Sequence, residues 1–414
     1  MSCNWPIVKL GDYCSKIGSG ATPKGGNSVY LDNGEISLIR SQNIYNDGFK
    51  SDGLAYITPE AAQKLKNVII EPNDVLINIT GDSVARVCLA PNEFLPARVN
   101  QHVAILRVVP EEFDHRYLRY YLTSTKMQNY LLTIASTGGT RNALTKSMLE
   151  SLEVSKPSLD VQKRIGDILE SFESKIQLNL RANQTLEQMA QAIFKSWFVD
   201  FDPVKAKMNG EQPEGMDAAT ASLFPDKLVE SELGLIPEGW ESKRVKDILE
   251  LAYGKALKKT DRIDGDVPVY GSGGLTGYHN QSLVEGPGII VGRKGTVGSV
   301  YWEPKAFYPI DTVFYVKPKA GYSLKYCHLV LQNLGLKNMN TDAAVPGLNR
   351  NNAYRLDVIT PSEHVLNKFN VIMQSLQLLI DANNAQNTNL SLLRDTLLPE
   401  LISGKFFNTV TKEG

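Results

Sequence analysis

Long apolar runs are missing from this 414-residue chain. No stretch approaches 18 apolar residues, so a membrane-spanning helix is excluded. Met1 to Leu10 holds no apolar run, which argues against a secretory leader. Cysteine is scarce. Cys3, Cys14, Cys88 and Cys327 form no CxxC pair, and read as buried or free thiols of a reducing cytoplasm rather than as disulfides or a zinc site. Net charge is nearly absent at −1, so the whole chain gives no signal for a polyanionic partner. Cofactor signatures are missing as well. The stretch Gly18-Ser19-Gly20-Ala21-Thr22-Pro23-Lys24-Gly25-Gly26 is rich in glycine, yet it lacks GxGxxG. No Lys-Ser or Lys-Thr follows its last glycine. It reads as a flexible surface loop or as a loop facing a nucleic acid.

Proline is absent from Leu159 to Asp202, and that absence marks what is present. Val161, Ile165, Ile168, Phe172, Ile176, Leu186, Ala190, Ile193 and Trp197 recur at steps that keep one stripe on one side of a helix. About 40 residues at about 1.5 Å each make a rod of roughly 60 Å. A lone rod of that length cannot bury its stripe. Its partner lies 204 positions further on, in Val365, Phe369, Ile372, Leu376, Ile380, Leu390, Leu397 and Leu401. Asn179 and Asn183 interrupt the first stripe, and Asn383 and Asn387 interrupt the second. A seam asparagine fixes register at a cost in stability. The four lie near the rod midpoints, and midpoints face each other when two like helices pack antiparallel. The expectation is an antiparallel coiled coil with an asparagine cluster at its centre. The competing reading is two ordinary core helices with solvated asparagines.

The repeat extends past the helices. Leu152-Glu153-Val154 matches Leu356-Asp357-Val358 at the same offset. Ile36-Ser37-Leu38-Ile39-Arg40-Ser41 resembles Val267-Pro268-Val269-Tyr270-Gly271-Ser272, and Val99–Val103 resembles Pro309–Val313. Trp5 with Gly11-Asp12-Tyr13 resembles Trp240 with Lys246-Asp247-Ile248 at an offset of 235, which drifts to 204 along the chain, so the first copy carries about 31 extra residues. The fold class expected is α+β: two similar globular domains joined by two long helices in an antiparallel coiled coil, a pseudo-two-fold tandem duplication. The boundaries are residues 1–157 for the first domain, 158–201 for the first helix and 202–239 for a crossover. Residues 240–361 form the second domain, and 362–414 the second helix and tail.

Dividing the charge restores a signal. Residues 240–361 hold 16 Lys+Arg against 11 Asp+Glu, residues 5–157 hold 16 against 15, and residues 202–239 hold 3 against 8. The second domain is basic enough to meet phosphates, and the acidity sits in the crossover. Within the first domain, Ile36–Ile39, Val75–Ile79 and Val103–Val108 read as strands, and Glu60–Lys66 and Arg116–Leu132 as helices. Gly292-Arg293-Lys294-Gly295-Thr296-Val297-Gly298-Ser299 follows a strand with two cations and three glycines. Such a loop brings backbone N–H groups and charge to phosphates, or is a turn with exposed cations. Lys255, Lys258, Lys259 and Arg262 form a second cluster. The polar loop from Tyr270 to Asn280 offers Ser272, Tyr278, His279 and Asn280 to base edges. Arg40, Ser41, Gln42, Arg86 and Lys24 are the candidates of the first domain. Thr140-Arg141-Asn142 and Asn349-Arg350-Asn351 lead into the arms, as phosphate contacts or helix caps.

These motifs resemble the specificity subunit of type I restriction-modification systems. The carrying segments are Ile193-Phe194-Lys195-Ser196-Trp197-Phe198-Val199-Asp200-Phe201-Asp202-Pro203, Gly234-Leu235-Ile236-Pro237-Glu238-Gly239-Trp240, the Gly292–Ser299 loop with Pro309-Ile310-Asp311-Thr312, and Leu397-Leu398-Pro399-Glu400-Leu401-Ile402-Ser403-Gly404-Lys405. The first half departs most, with Gly81-Asp82-Ser83-Val84-Ala85-Arg86 in place of the glycine loop. The resemblance implies two target-recognition domains, each reading half of a split DNA sequence, held by a coiled coil that sets the spacer. It implies no catalysis and no cofactor in this chain. The partners it implies are double-stranded DNA and two modification subunits that use S-adenosylmethionine, with restriction subunits that use ATP and Mg²⁺ joining the assembly in the cytoplasm. Two other classes stay open. A DNA methyltransferase needs an Asn/Asp-Pro-Pro-aromatic segment where this chain has Asp202-Pro203-Val204. A metal nuclease needs clustered carboxylates where Asp74 and Glu303-Pro304-Lys305 lie in different halves. A coiled-coil adaptor would have no use for basic glycine loops.

Overall fold

A computed structural model describes residues 5–23, 25, 29–137, 142–339 and 347–410, with residues 408–410 described by backbone alone. The chain divides into two compact units, Met1–Asn179 with Asn384–Gly414, and Leu180–Asn383. Each contains one globular domain and a half of each long helix.

The two stripes form helices Leu159–Phe198 and Glu363–Ile402. Within the first unit, Asn179 donates to Gln386 Oε1 and Asn387 Oδ1, each at 2.8 Å. Within the second, Asn383 donates to Asn183 Oδ1 at 2.8 Å. The pairing runs 179 with 387 and 183 with 383, so the helices are antiparallel with asparagines at the seam. Asn179 and Asn183 are buried and hydrogen-bonded, which removes the solvated reading. Gln386 joins the cluster, although the repeat gave no hint of it.

Both domains are built on the same two sheets. In the first unit one sheet has strand order Cys14–Ser19, Val103–Val108, Val75–Asn78, Val87–Leu89. In the second the order is Leu249–Tyr253, Val313–Pro318, Gly288–Gly292, Val300–Glu303. All neighbours are antiparallel. The other sheet holds a parallel pair in each unit, Ile36–Ile39 with Ala97–Val99 and Val267–Gly271 with Tyr308–Pro309. The first domain's extra residues lie between its strands. The turn that needs two residues in the second domain is replaced by a segment holding the hairpin Ile44–Tyr45/Gly48–Phe49, and helix Pro59–Lys64 follows soon after. One glycine is fixed in both copies by the crossing of these sheets. A Cβ on Gly20 would fall 1.8 Å from the Val99 carbonyl oxygen, and one on Gly254 would fall 2.2 Å from that of Ile310.

The domains grip their helices by different means. In the first unit Arg116 pairs with Asp167 and Glu170, and buried Arg119 pairs with Glu173, which also accepts from Tyr120. In the second unit the joint is aromatic: Phe194, Trp197, Phe198, Tyr326 and Phe369 pack edge to face. Several expected elements are adjusted. Arg116–Leu132 is two helices, His115–Thr123 and Thr125–Ser136, because Ser124 ends the first and caps the second through its hydroxyl. The crossover contains helix Asp202–Met208 and hairpin Leu228–Ser231/Gly234–Pro237 beside the expected short helix, found at Ala218–Ser222. No helix is long and apolar enough to cross a membrane among the described residues. Cys14, Cys88 and Cys327 are free thiols, each pushed up to about 12 chiefly by burial.

His328 gives the second unit an acid-labile joint. Its ring lies 5.5 Å from that of Trp302. Burial, assisted by Lys325, pushes its pKa down to about 3. The unfolded chain takes up this proton near pH 6.5. Stability from the neutral ring is therefore complete above about pH 6.5 and is lost as pH falls from there toward 3, at about 1.4 kcal/mol per unit. Urea unfolding of the wild type and His328→Leu at pH 7, 5.5 and 4.5 checks this. The variant is expected to show a pH slope shallower by about that amount, and equal slopes would refute it.

Candidate nucleic-acid interface

The second unit brings three separated segments of sequence into one cleft. Strand Leu249–Tyr253 ends at an exposed Tyr253. Strand Gly288–Gly292 leads into Arg293, whose backbone N–H donates to Thr312 and whose carbonyl accepts from Leu348. Asn349 then caps helix Arg350–Tyr354 by accepting from Asn351 and Asn352 N–H. Tyr253, Arg293, Phe314, Leu348, Arg350 and Asn351 line an open cavity of about 340 Å³. The Arg293 guanidinium lies 5.3 Å from the Tyr253 ring centre and donates to the Asp311 carbonyl at 2.7 Å. The Arg350 guanidinium lies 4.8 Å from the same ring. Neither forms an ion pair among the described residues. Exposed Lys294 and Thr296 follow Arg293, and half-buried Ser272 lies beside this loop, with its hydroxyl 3.2 Å from where a Gly295 Cβ would stand.

The first unit has the same framework with other side chains. Leu144 N–H donates to Ile79 O as Leu348 donates to Arg293 O, and Ile79 N–H donates to His102 O as Arg293 donates to Thr312 O. The bridge Thr80–Ala143 repeats Lys294–Gly347. By this register Ile79 stands at the position of Arg293, Thr80 at that of Lys294 and Ser19 at that of Tyr253. A larger cavity of about 900 Å³ opens there, lined among others by Ser41, Gln42, Tyr45, Arg86, His102 and Asn142. Arg86 lies 4.7 Å over the Tyr45 ring. Arg40 is set back from this opening. Its guanidinium donates to the Gly53 carbonyl at 2.5 Å and approaches the Tyr30 ring.

Several sequence-based assignments change. The stretch from Tyr270 to Asn280 is not a loop. It is hairpin Val267–Gly271/Gly274–His279. Its His279 is buried, and Nδ1 accepts from the Ile263 N–H, which takes His279 out of the base-reading set. Exposed Tyr278 on that hairpin and exposed Asn280 just past its end remain. Lys255, Lys258 and Lys259 are exposed, while Arg262 is turned inward to bond Thr276 O. The counterpart of the Asn349 cap is Thr145, which caps helix Lys146–Glu150 by accepting from Met148. The expected counterpart, Thr140-Arg141-Asn142, was placed too early. Lys24 and Arg141 lie outside the described residues. Tyr253, Tyr45, Thr80 and His102 line the clefts and escaped notice, since isolated polar or aromatic residues carry no pattern in sequence. No cluster of three or more potential metal ligands occurs among the described residues.

The duplicated frame has a counterpart in known proteins. The model of the type I restriction modification DNA specificity domain matches residues 3–188 and again 237–361. The chain belongs to that family. It is 28% identical to the type I restriction enzyme HindI specificity subunit of Haemophilus influenzae, over 89% of this chain and 94% of that one. It is 24% identical to the MjaIX specificity subunit of Methanocaldococcus jannaschii, over 97% and 93%. The fold is similar to the crystal structure of a type I restriction-modification S subunit from M. genitalium, at TM-score 0.55 and 18% identity over 96% of both chains. The two matched regions fall in the two halves that the repeat marked out.

Proposed function

We propose that each domain reads one half of a split duplex target, that the paired helices set the unspecified spacer between the halves, and that the chain itself does no chemistry. One observation carries this reading. A single backbone frame is built twice, and its two clefts present different side chains, Tyr253 and Arg293 in one and Ser19 and Ile79 in the other. A conserved frame with changed side chains suits two readings of different base edges. The DNA-facing residues proposed are Lys24, Arg40, Ser41, Gln42, Arg86 and Arg141 in the first domain. In the second they are Lys255, Lys258, Lys259, Ser272, Tyr278, Asn280, Arg293, Lys294, Thr296 and Arg350. The chain bridges two modification subunits in the cytoplasm, S-adenosylmethionine binds those subunits, and restriction subunits bring ATP and Mg²⁺.

The test has two arms. Mapping methylated bases in a genome that expresses the chain with its modification subunits should return two short specified blocks around a fixed gap. A contiguous target would sink the bipartite reading. Purified chain alone, given duplex DNA with S-adenosylmethionine or Mg²⁺, is expected to give no methylation and no cleavage. Turnover that persists after every partner subunit is removed would assign the chemistry to this chain.

A further inference from the structure

We propose that Tyr253 seats Arg293 and Arg350 as a clamp for two adjacent backbone phosphates, one to each arginine, so that this cleft anchors the second half-site while neighbouring side chains read its bases. This deepens the DNA-recognition reading and rests on it. Arginines on a surface usually keep many rotamers, and ordering them on binding costs free energy. Here the ordering is already done. Both guanidiniums lie within 5.3 Å of one ring centre, a range where cation–π attraction holds a guanidinium against a ring. Arg293 has secondary contacts, to Phe314 at 5.9 Å and through two bonds to the Asp311 carbonyl. Arg350 also lies 5.7 Å from Tyr354, and its Nε has no hydrogen-bond partner. Two fixed cations without a carboxylate partner among the described residues face an open cavity of about 340 Å³. The missing partner is an anion, and planar N–H forks match phosphate oxygens.

Arg293 spends Nε and one Nη2 hydrogen on the Asp311 carbonyl, so its remaining donors lie on the Nη1/Nη2 edge, which can meet phosphate oxygens or the O6 and N7 of a guanine; the comparison of target and scrambled duplexes below separates the two. The first unit makes the contrast. Its positions equivalent to Tyr253 and Arg293 hold Ser19 and Ile79, and of the two cations over Tyr45, Arg86 and Lys50, one is already paired to Asp47. Anchorage in the two half-sites is therefore unequal, and the second unit carries more of the salt dependence.

The experiment measures affinity against salt for the complex of this chain with its modification subunits. It uses one duplex carrying the mapped target and one scrambled duplex of equal length. Arg293→Gln with Arg350→Gln is expected to weaken both duplexes by similar factors and to reduce the log–log salt slope by about two, near 0.9 per phosphate contact. Arg350→Gln alone leaves the Arg293–Asp311 bonds intact and should reduce it by about one, which keeps the test alive if the double variant fails to fold. Tyr253→Ala keeps both charges. It should weaken binding about tenfold with little change of slope, and Tyr253→Phe should restore it. Weakening confined to the target duplex, or an unchanged slope in both arginine variants, would overturn the clamp. A wild-type complex that ignores salt and sequence would instead overturn the DNA-recognition reading itself.

Discussion

Phe369→Ala is expected to lower the stability of the second unit by about 3–5 kcal/mol, the range for removing a large side chain from a packed core. Phe369 has no exposed surface. Its ring centre lies 4.8 Å from Phe198, 5.9 Å from Trp197, 6.1 Å from Phe194 and 6.2 Å from Tyr326. These rings belong to the other long helix and to helix Leu324–Asn333 of the domain. One side chain therefore ties the helix pair to the domain that sits on it. Edge-to-face contacts add about 0.5–1.5 kcal/mol per pair beyond area burial, so the loss falls at the upper end unless the cluster collapses. Leu392→Ala on the same helix is the control, because that side chain is 66% exposed and should change stability by less than about 0.5 kcal/mol. Urea unfolding of both variants decides the matter. A cost under about 1 kcal/mol for Phe369→Ala would mean that the domain is held by something else.

The helix pair was legible because two independent patterns agreed. The stripe gave the faces, and asparagines at matching offsets gave the direction. A seam amide has to find a partner once buried, so its position constrains the partner's. Sheet content was legible from short β-branched runs, but strand order was not, since pairing between Ile36–Ile39 and Ala97–Val99 crosses some 60 positions with no local mark. The stretch from Tyr270 to Asn280, most of it in the hairpin Val267–Gly271/Gly274–His279, reads as a loop in sequence because its glycines and polar residues mask alternation. His279 was read as a ligand for bases because burial is invisible in composition. Ser124 broke a helix that periodicity ran straight through, since a serine hydroxyl can cap as well as sit on a surface. The cleft itself was half legible. Arg293 and Arg350 stood in cationic motifs, whereas Tyr253, which holds both, lies in a strand reading of no special charge. A side chain that works by positioning others leaves its trace in geometry alone.

Lengthening both long helices by four residues is expected to move the two half-sites apart without altering either. The insertions go after Asn179 and after Asn383. Each falls between the seam contacts, since Asn179 bonds Asn387 and Asn183 bonds Asn383, so both contacts survive and only the interval between them grows. Four residues add about 6 Å of rise and bring the apolar stripe back within about 40° of its phase, close enough to keep one buried face. At about 3.4 Å per base pair that length corresponds to nearly two base pairs. The residual rotation of the helices partly follows the twist of the added DNA, of which a full turn takes 10–10.5 base pairs. A spacer longer by one or two base pairs follows, with both specified blocks unchanged, and methylated-base mapping in a host expressing the complex reads it directly. An insertion after Asn179 alone has a different outcome. It pulls Asn183 out of line with Asn383 and leaves buried amides to find new partners, at about 1–3 kcal/mol each. That variant should melt earlier than the matched one. If the matched variant methylates the original spacing, or changes a half-site sequence while keeping the spacing, the helices do not set the gap and the proposal that they measure DNA is wrong.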